Sequence, residues 1–294
     1  MQHRKVSYVN GRYVPHEHAM VHIEDRGYQF SDGVYEVMAL EKGKLLDDDL
    51  HYSRLKRSLD GISVAMPVSV PVLNSVIREL SRVNKINSGY IYIQVTRGVA
   101  PRNHSFPKGN IRPSLVVSFV HPKPPTEKEY ENGVDVITGD DIRWFRRDIK
   151  SISLLPNVLS KQDAIKAGVK EIWFIDKVTG FITEGSSTNA YIIDKSGTIL
   201  THPANEYILG GVTRDSVLKE ARKAGIKIEE RPFTLAEAEG AAEAFLTSTT
   251  SWVLPVVKMN GKKIADGKPG KITKKLIELY SSYVASNLNK NDKN

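Results

Sequence analysis

One lysine near the middle of the chain has neighbours that could support covalent chemistry. Lys150 lies near the end of residues 141–151, DIRWFRRDIKS, a segment that mixes apolar and cationic side chains. A lysine amine forms a Schiff base with a carbonyl compound only when it is unprotonated, and positive neighbours such as Arg146 and Arg147, or partial burial, favour that form. In a chain with 42 lysines and arginines, however, several lysines stand beside an arginine by chance, so this segment alone is more simply interpreted as solvated.

Two segments further along the chain carry groups suited to a phosphate-bearing cofactor. Residues 183–189 read TEGSSTN and residues 209–215 read LGGVTRD. The glycine pair of the second segment allows backbone N–H groups to approach an anion at the start of a predicted helix, where the helix dipole also favours negative charge. Either segment alone is equally compatible with an ordinary turn.

Together with Lys150, these segments meet the requirements of pyridoxal phosphate. This cofactor needs a lysine for its aldehyde, a carboxylate that keeps its ring nitrogen protonated, and an anion pocket. Glu184 can supply the carboxylate. Hydroxyl groups for the pocket are available from Ser186, Ser187 and Thr188.

The order of these motifs resembles the fold-type IV (class IV) aminotransferases, which use pyridoxal 5′-phosphate. The resemblance rests on IKS at Lys150, on TEGSSTN and GGVTRD, on TSTTS at 247–251 and on EDRGYQFSDGVYEV at 24–37, and it extends over nearly the whole chain. Within the family the chain is most similar to the D-amino-acid (D-alanine) aminotransferases. The resemblance implies an α/β (α+β) fold of two domains, a smaller N-terminal α/β domain and a larger C-terminal pseudo-barrel domain.

The resemblance also assigns roles to individual residues. It makes Lys150 the catalytic lysine and Glu184 the partner of the ring nitrogen. Arg54, which by itself is better interpreted as a surface arginine on a helix, is placed on the cofactor phosphate with Thr213 and Thr249. The full set of expected cofactor contacts is Arg54, Lys150, Glu184, Ser186, Ser187, Thr188, Leu209, Val212, Thr213 and Thr249.

Three further residues could bind the carboxylate of an amino acid. Tyr35 lies in a predicted strand, and Arg102 and His104 lie in the loop APRNH, where an arginine is usually only solvated. An arginine, a tyrosine hydroxyl and an imidazole can hold an α-carboxylate together by charge-assisted hydrogen bonds. In D-amino-acid aminotransferases a tyrosine and an Arg-x-His pair form such a carboxylate trap, and the neighbouring subunit contributes the pair. The resemblance therefore implies a homodimer.

The implied activity is a ping-pong transamination from D-alanine and other D-amino acids to 2-oxo acids such as 2-oxoglutarate. Branched-chain L-amino-acid aminotransferases and aminodeoxychorismate lyases share the same cofactor core and are alternatives on this scaffold. The branched-chain enzymes are expected to lack the Arg-x-His loop. The alternative from another class is a non-catalytic protein that binds the cofactor or another ligand, and the presence of both Lys150 and Glu184 argues against it.

The hydrophobic pattern predicts the elements that carry these residues. In the first half, turn signals near Gly11 and Gly43 indicate two hairpins, and apolar residues at spacings of three and four indicate two helices. In the second half, strands alternate with short helices, and a helix at 214–224 is expected to take Thr213 as its N-cap. The predicted domains are a small domain at 1–121, a linker at 122–129, a large domain at 130–288 and a disordered tail at 289–294.

Composition limits the class of protein further. The 294 residues are 40% hydrophobic, which is enough for a sizeable core, and they include no cysteine, which excludes disulfides and thiolate metal sites. We assign no metal. The net charge of +8 is spread along the chain without a dense basic run, so nucleic-acid binding is not expected. With no recognisable signal peptide or membrane span, we expect a cytoplasmic protein without a membrane partner.

Overall fold

The chain forms two compact units. The structure, a computed structural model, describes residues 5–290. The first unit comprises the chain up to Pro122 together with Ile149–Ser153, and the second comprises Lys123–Asp148 and the chain from Leu154 onward. Each unit has its own sheet and its own buried apolar cluster.

The first unit is built on a six-stranded antiparallel sheet. Its strands are β1 (Val6–Val9), β2 (Arg12–Pro15), β3 (Gly33–Glu41), β4 (Lys44–Leu45), β5 (Gly89–Thr96) and β6 (Ser114–Val120), and its α-helices are α1 (Arg26–Phe30), α2 (Asp48–Gly61) and α3 (Val70–Asn84). The strand order is β2-β1-β6-β5-β3-β4. These bounds confirm the two predicted hairpins and the two predicted helices, α2 and α3.

Two helices close one face of this sheet because their apolar residues recur at helical spacing. On α3, Leu73, Ile77 and Leu80 are spaced by four and three residues, and each is at most 2% exposed. Leu55 and Leu59 on α2 are buried to the same degree. They belong to one apolar cluster with the inward side chains of β5, which are Ile91, Ile93 and Val95.

The second unit is built on a ten-stranded mixed sheet. Its strands are β7 (Val134–Asp140), β8 (Glu171–Ile175), β9 (Phe181–Gly185), β10 (Asn189–Ile193), β11 (Ile199–Thr201), β12 (Ile228–Glu230), β13 (Phe233–Thr234), β14 (Glu243–Ser248), β15 (Trp252–Met259) and β16 (Lys262–Lys263). Its helices are α4 (Glu127–Asn132), α5 (Leu155–Lys166), α6 (Val212–Lys223), α7 (Leu235–Glu239) and α8 (Lys271–Lys290).

This second sheet curls back on itself. The strand order is β12-β11-β10-β14-β15-β7-β8-β9-β13, with β16 paired to β15. The two strands at the ends of this path, β12 and β13, are joined by residues 231–232 alone, so the sheet must curve strongly for its ends to meet. Its interior holds buried side chains such as Trp173, Phe233 and Leu254. The expected pseudo-barrel corresponds to this curled sheet.

The division of the chain differs from the predicted domains at residues 149–153, which were expected within the large domain at 130–288. These residues bind the edge of β3 in the first unit. Tyr35 donates a backbone hydrogen bond to the Lys150 carbonyl (3.0 Å), and Ile152 donates one to the Gly33 carbonyl (3.1 Å). Hydrophobic periodicity cannot predict that residues 149–153 join the first unit, because five residues are too few to show a period.

The linker, the C-terminal tail and the start of one helix also differ from the sequence-based expectation. Helix α4 begins inside the expected linker at 122–129, because Thr126 and Glu129 form a capping box in which each side chain accepts the other's backbone N–H. Of the expected disordered tail, residues 289 and 290 continue helix α8, and residues 291–294 lie outside the described part of the chain. Helix α6 begins at Val212 with Gly211 as its N-cap, so the prediction of Thr213 as the cap is wrong.

Among the helices that the structure describes, none is both long enough and apolar enough to cross a lipid bilayer.

Gly133 allows a test of how tightly the second unit is packed. It follows α4 with a φ of +77°, and a Cβ at this position would lie 2.3 Å from Cγ1 of Val257. Gly168 follows α5 with a φ of +69° and has open space around it, so it serves as a matched control. We expect Gly168→Ala to lower the free energy of unfolding by about 1 kcal/mol and Gly133→Ala by about 3 kcal/mol, because Gly133 adds the overpacking against Val257 and a ψ of 176°, a conformation essentially confined to glycine, to the positive φ that both residues share. Equal losses in urea denaturation would contradict this.

Candidate active site

Lys150 lies on the edge of the first sheet with its amine against an aromatic ring. Its backbone N–H donates to Oγ of Ser58 (3.1 Å), and its carbonyl accepts from Tyr35, so the main chain is held on both sides. The Lys150 Nζ lies 4.2 Å from the centroid of the Tyr35 ring, which in turn stacks on Tyr92. The lysine is half-buried. The structure therefore brings together two of the residues predicted for the site, Lys150 and Tyr35.

Arg54 is buried rather than on the surface, and it is held by a carboxylate. Its Nε and Nη2 donate to the two oxygens of Glu36 at 2.7 and 2.8 Å, and His51 Nδ1 lies 2.8 Å from the same carboxylate. Burial by itself would raise the pKa of Glu36, but the charge of Arg54 and the hydrogen bonds from Arg54 and His51 outweigh it and hold that pKa well below its ordinary value. Burial lowers the pKa of His51. The guanidinium is thus fixed in orientation by two parallel bonds.

Arg102 and His104 lie on an exposed loop between β5 and β6. The Arg102 Cζ lies 4.6 Å from the centroid of the Phe30 ring, and the His104 ring centroid lies 5.4 Å from it. Within residues 5–290, no hydrogen bond or ring contact joins either residue to Tyr35. The single chain therefore places Arg102 and His104 against the same ring but does not assemble the predicted trap of three residues.

In the second unit, Glu184 is a buried carboxylate with several donors. It lies on β9, and its Oε1 accepts from Arg143 Nη1 (2.5 Å) and from the backbone N–H of Leu209 (3.0 Å), while Asn189 Nδ2 donates to Oε2 (3.0 Å). Burial raises the pKa of Glu184, and the charge and hydrogen bonds of its partners oppose that effect without cancelling it. This is a carboxyl group of fixed orientation that takes up a proton more readily than a solvated one.

Arg143, which the sequence did not single out, is itself fixed by a second carboxylate. Its Nε and Nη2 donate to Asp141 at 3.0 and 2.8 Å, and Asp141 also accepts from Thr183 Oγ1 (2.9 Å). Burial acts to lower the pKa of Arg143, but Glu184 and Asp141 outweigh it and raise that pKa. Arg143 therefore stays charged between the two acids.

The three hydroxyls expected at the phosphate have another partner. Ser186 Oγ, Ser187 Oγ and Thr188 Oγ1 all donate to the buried carboxylate of Glu171, at 2.5, 2.9 and 3.4 Å. Each hydroxyl has one proton to donate, and in this structure that proton goes to Glu171. The structure thus gives these hydroxyls a partner that lies 15 to 17 residues earlier in the chain, which spacing alone could not link to them.

The remaining predicted cofactor contacts lie at two turns of the second unit. Val212 and Thr213 are buried in the first turn of α6, a helix of 12 residues, and Leu209 precedes that turn. Thr249 is half-buried in the turn between β14 and β15. A helix start with a hydroxyl is a suitable place for an anion.

Arg146 and Arg147, which precede Lys150, are each paired with an acidic residue. Arg146 donates to Asp148 at 2.9 and 2.8 Å, and Arg147 lies 3.3 Å from Asp141 and 3.4 Å from Asp176. The expectation that these arginines act as a positive environment for Lys150 is therefore not supported, because each is neutralised by an acid.

Sequence analysis also missed the partners of the predicted residues. Glu36, Arg143 and Asn189 each bind a predicted residue, and Asp141 fixes Arg143, yet none of the four was assigned a role. One signal was present: Glu36 is a charged residue inside the apolar strand GVYEVMAL, where a buried charge requires a partner.

The ion pair of Arg54 yields a prediction on stability. We expect Glu36→Gln to cost about 3–5 kcal/mol at pH 7, because it leaves a buried guanidinium without its counter-charge. The pKa of Glu36 is lower in the folded state than in the unfolded state. The stabilisation is therefore fully present above the unfolded pKa, about 4.3, and is lost as the pH falls below it. Urea denaturation at several pH values should show the difference between the two proteins shrinking below pH about 4.

Glu79→Gln is the matched control. Glu79 also accepts two hydrogen bonds from one arginine, Arg82, at 2.7 and 2.8 Å, but this pair lies on the exposed surface of α3. We expect little change in its unfolding free energy because solvent screens the pair. A Glu36→Gln variant as stable as Glu79→Gln would contradict the assigned role of burial.

Comparison with known proteins gives these residues a context. Residues 33–259 match the family model of amino-transferase class IV. The D-alanine aminotransferase of Staphylococcus haemolyticus is 42% identical over 279 residues, which are 95% of this chain and 98% of the relative.

Solved structures share the fold at lower identity. The branched-chain amino acid aminotransferase of Escherichia coli superposes with a TM-score of 0.87 at 22% identity, covering 95% of this chain and 94% of that one. A hypothetical aminotransferase from Mycobacterium tuberculosis, in its PLP-bound form, superposes with a TM-score of 0.82 at 19% identity, covering 96% and 99%. The family model spans most of the sequence, and the Staphylococcus relative extends the similarity to nearly all of it. This chain belongs to the class IV aminotransferases.

Proposed function

We propose that this chain is a D-amino-acid transaminase that uses pyridoxal 5′-phosphate. It would move the amino group of D-alanine, and of other D-amino acids, to 2-oxo acids such as 2-oxoglutarate, giving pyruvate and D-glutamate. The observation that carries the proposal is the nearly full-length similarity to a D-alanine aminotransferase, in a chain that presents Arg102 and His104 on an exposed loop.

The side chains fit the cofactor in type and in environment. The first unit offers a half-buried amine at Lys150 and a guanidinium at Arg54 whose orientation is fixed. The second unit offers the buried carboxyl of Glu184 and the hydroxyl of Thr213 in the first turn of α6. When bound, pyridoxal 5′-phosphate supplies an aldehyde for covalent attachment and a ring that takes up the electrons released at the substrate Cα.

Lys150 would carry the covalent and the proton-transfer chemistry. Its Nζ is the group that would attach to the aldehyde of the cofactor, and as a free amine it would take up the proton from the substrate Cα. The main chain on both sides of Lys150 is hydrogen-bonded, so the amine moves by side-chain rotation alone. Such restricted motion favours transfer between two neighbouring atoms.

Glu184 would hold a proton at the ring nitrogen. Arg143, Asn189 and the Leu209 backbone fix its two oxygens, so the carboxyl does not have to reorganise during the reaction. For the phosphate we propose Arg54, Thr213, Val212 and Thr249, without the three hydroxyls that bind Glu171. A guanidinium and the start of a helix both bind anions strongly.

Arg102, His104 and Tyr35 are proposed to bind the substrate carboxylate. Because Arg102 and His104 do not contact Tyr35 within one chain, we propose that they reach the site of a partner protomer in a homodimer. If the cofactor holds the amine and the trap holds the carboxylate, only one enantiomer would direct its Cα–H toward Lys150, and the other would direct its side chain there, which would select the stereochemistry.

The stereochemistry of the half-reaction tests the proposal. With no acceptor present, D-alanine should change the visible absorbance of the cofactor-loaded protein, and L-alanine and L-leucine should not.

Lys150→Ala should fold normally and show no turnover, and Lys150→Arg, which keeps the charge but cannot attach the aldehyde, should behave alike. A response to L-leucine alone would assign the branched-chain activity, and no response after loading would favour a non-catalytic protein.

A second prediction concerns the carboxylate contact. Loss of one charged contact costs about 2–4 kcal/mol of binding, so Arg102→Ala should mainly raise the apparent KM for D-alanine. Arg82→Ala, which removes an exposed arginine paired with Glu79, is the control and should leave KM unchanged. Retention of the wild-type KM by Arg102→Ala would remove this residue from the proposed trap.

A further inference from the structure

The loop that carries Arg102 and His104 curls around a buried guanidinium. Arg26, on the short helix α1, is 3% exposed. Its Nη1 donates to the carbonyl of Asn103 (2.6 Å) and lies 3.4 Å from that of Ser105, and its Nη2 lies 3.5 Å from the carbonyl of His104. Three consecutive carbonyls of an otherwise exposed segment thus converge on one side chain.

The guanidinium of Arg26 is also bound by a carboxylate, Asp32, which it shares with Arg97. Its Nε donates to Asp32 at 2.8 Å, and Arg97 donates to the same carboxylate at 2.7 and 2.9 Å. Burial acts to raise the pKa of Asp32, but the hydrogen bonds and charges of Arg97 and Arg26 outweigh it and lower that pKa. Asp32 therefore stays ionised and fixes the plane of the Arg26 fork.

The ring of Phe30 lies against the buried guanidinium of Arg26 and also against the side chains of Arg102 and His104. The Phe30 ring centroid lies 4.7 Å from Cζ of Arg26 and 4.6 Å from Cζ of Arg102, and the His104 ring lies against it at 5.4 Å. Phe30 and Arg26 are both on α1, whose cap Asp25 accepts from Gly27 N and from Thr96 Oγ1. The motif DRGYQFSD at 25–32 thus supplies Arg26 and Phe30, which contact the loop of Arg102 and His104.

We propose that Arg26 is a positioning residue for substrate recognition, which sets the backbone of residues 103–105 and thereby the directions of Arg102 and His104. This inference rests on the proposed role of that pair in binding the substrate carboxylate. A loop without regular secondary structure loses conformational entropy when it is ordered, and Arg26 supplies that order before substrate binds. The effect of Arg26 on catalysis is therefore transmitted through Arg102 and His104.

Arg26→Lys is the first variant to measure. A lysine keeps the charge beside Asp32, but one ammonium group cannot serve both Asp32 and three carbonyls. We expect the protein to fold, KM for D-alanine to rise about tenfold, and kcat at saturation to change by less than about twofold. With a primary amine that lacks a carboxylate, the half-reaction rate should equal that of the wild type. Arg26→Met, which removes the charge as well, should raise KM further.

Arg97→Lys is the matched control. It alters the second guanidinium on the same Asp32, but the backbone bonds of Arg97 go to Ile62 and Ser63 instead of residues 103–105. Its guanidinium also stacks on Phe106, so a small effect on the loop is expected. We expect a KM within about twofold of the wild type for Arg97→Lys, since it removes no bond to the trap backbone. An equal rise in KM for both variants would mean that loss of any arginine at Asp32 has the same effect, which overturns the specific role of Arg26.

A double-mutant cycle decides whether Arg26 acts through the trap. If it does, adding Arg26→Lys to Arg102→Ala should raise KM much less than adding it to the wild type. Additive effects would overturn the proposal. Hydrogen exchange in the absence of cofactor gives an independent readout: amides of residues 103–106 should exchange faster in Arg26→Lys and not in Arg102→Ala.

The outcomes also separate this inference from the proposed function. If wild-type protein does not respond to D-alanine, or Arg102→Ala keeps its affinity, the proposed function or its trap is wrong. If both behave as expected and Arg26→Lys leaves KM and loop exchange unchanged, only the role of Arg26 is wrong.

Discussion

A buried charge must be paired, and this constraint fixes most of the groups that the proposed chemistry needs. Removing a carboxylate or a guanidinium from water is costly unless an opposite charge and hydrogen bonds replace the lost solvation. In this chain Arg54 is paired with Glu36, Glu184 with Arg143, and Arg26 with Asp32. Each pair has at least one nitrogen–oxygen distance of 2.8 Å or less, and both partners are largely buried.

Pairing of this kind determines orientation more than it adds stability. A buried ion pair is often no more stabilising than a well-packed apolar pair, but breaking it is expensive. The two bonds from Arg54 to Glu36, and the bonds that Glu184 receives, therefore leave each group one arrangement. Groups fixed before ligand arrives need little reorganisation when charge develops in a reaction.

The same principle explains which partner the predicted hydroxyls have in this structure. Ser186, Ser187 and Thr188 were assigned to a phosphate from their type and spacing, and hydroxyls next to a glycine do suit an anion. Glu171 is 1% exposed, and without these hydroxyls its charge would have fewer donors. Because the buried carboxylate of Glu171 needs hydrogen-bond donors, these hydroxyls bind Glu171 in this structure. Arg147 near Lys150 follows the same rule, since it is buried and lies 3.4 Å from Asp176.

The sequence by itself determined the family and most of the regular elements, and the proposed cofactor chemistry rests on its motifs. Motif order carries that information, and helices such as α3 follow from local apolar spacing, which needs no knowledge of distant residues. The proposals for Lys150, Glu184 and the loop of Arg102 and His104 came from these motifs.

Only the tertiary structure decided which partner each charged residue has. Glu36 is 18 residues from Arg54, Glu184 is 41 from Arg143, and Arg26 is 77 from Asn103. It also decided that residues 149–153 bind the edge of β3, which places Lys150 against Tyr35. The physical reason is that hydrogen bonds and ion pairs act over about 3 Å in space, whatever the separation along the chain. Composition and periodicity describe only near neighbours in sequence, so pairings between distant segments are beyond their reach.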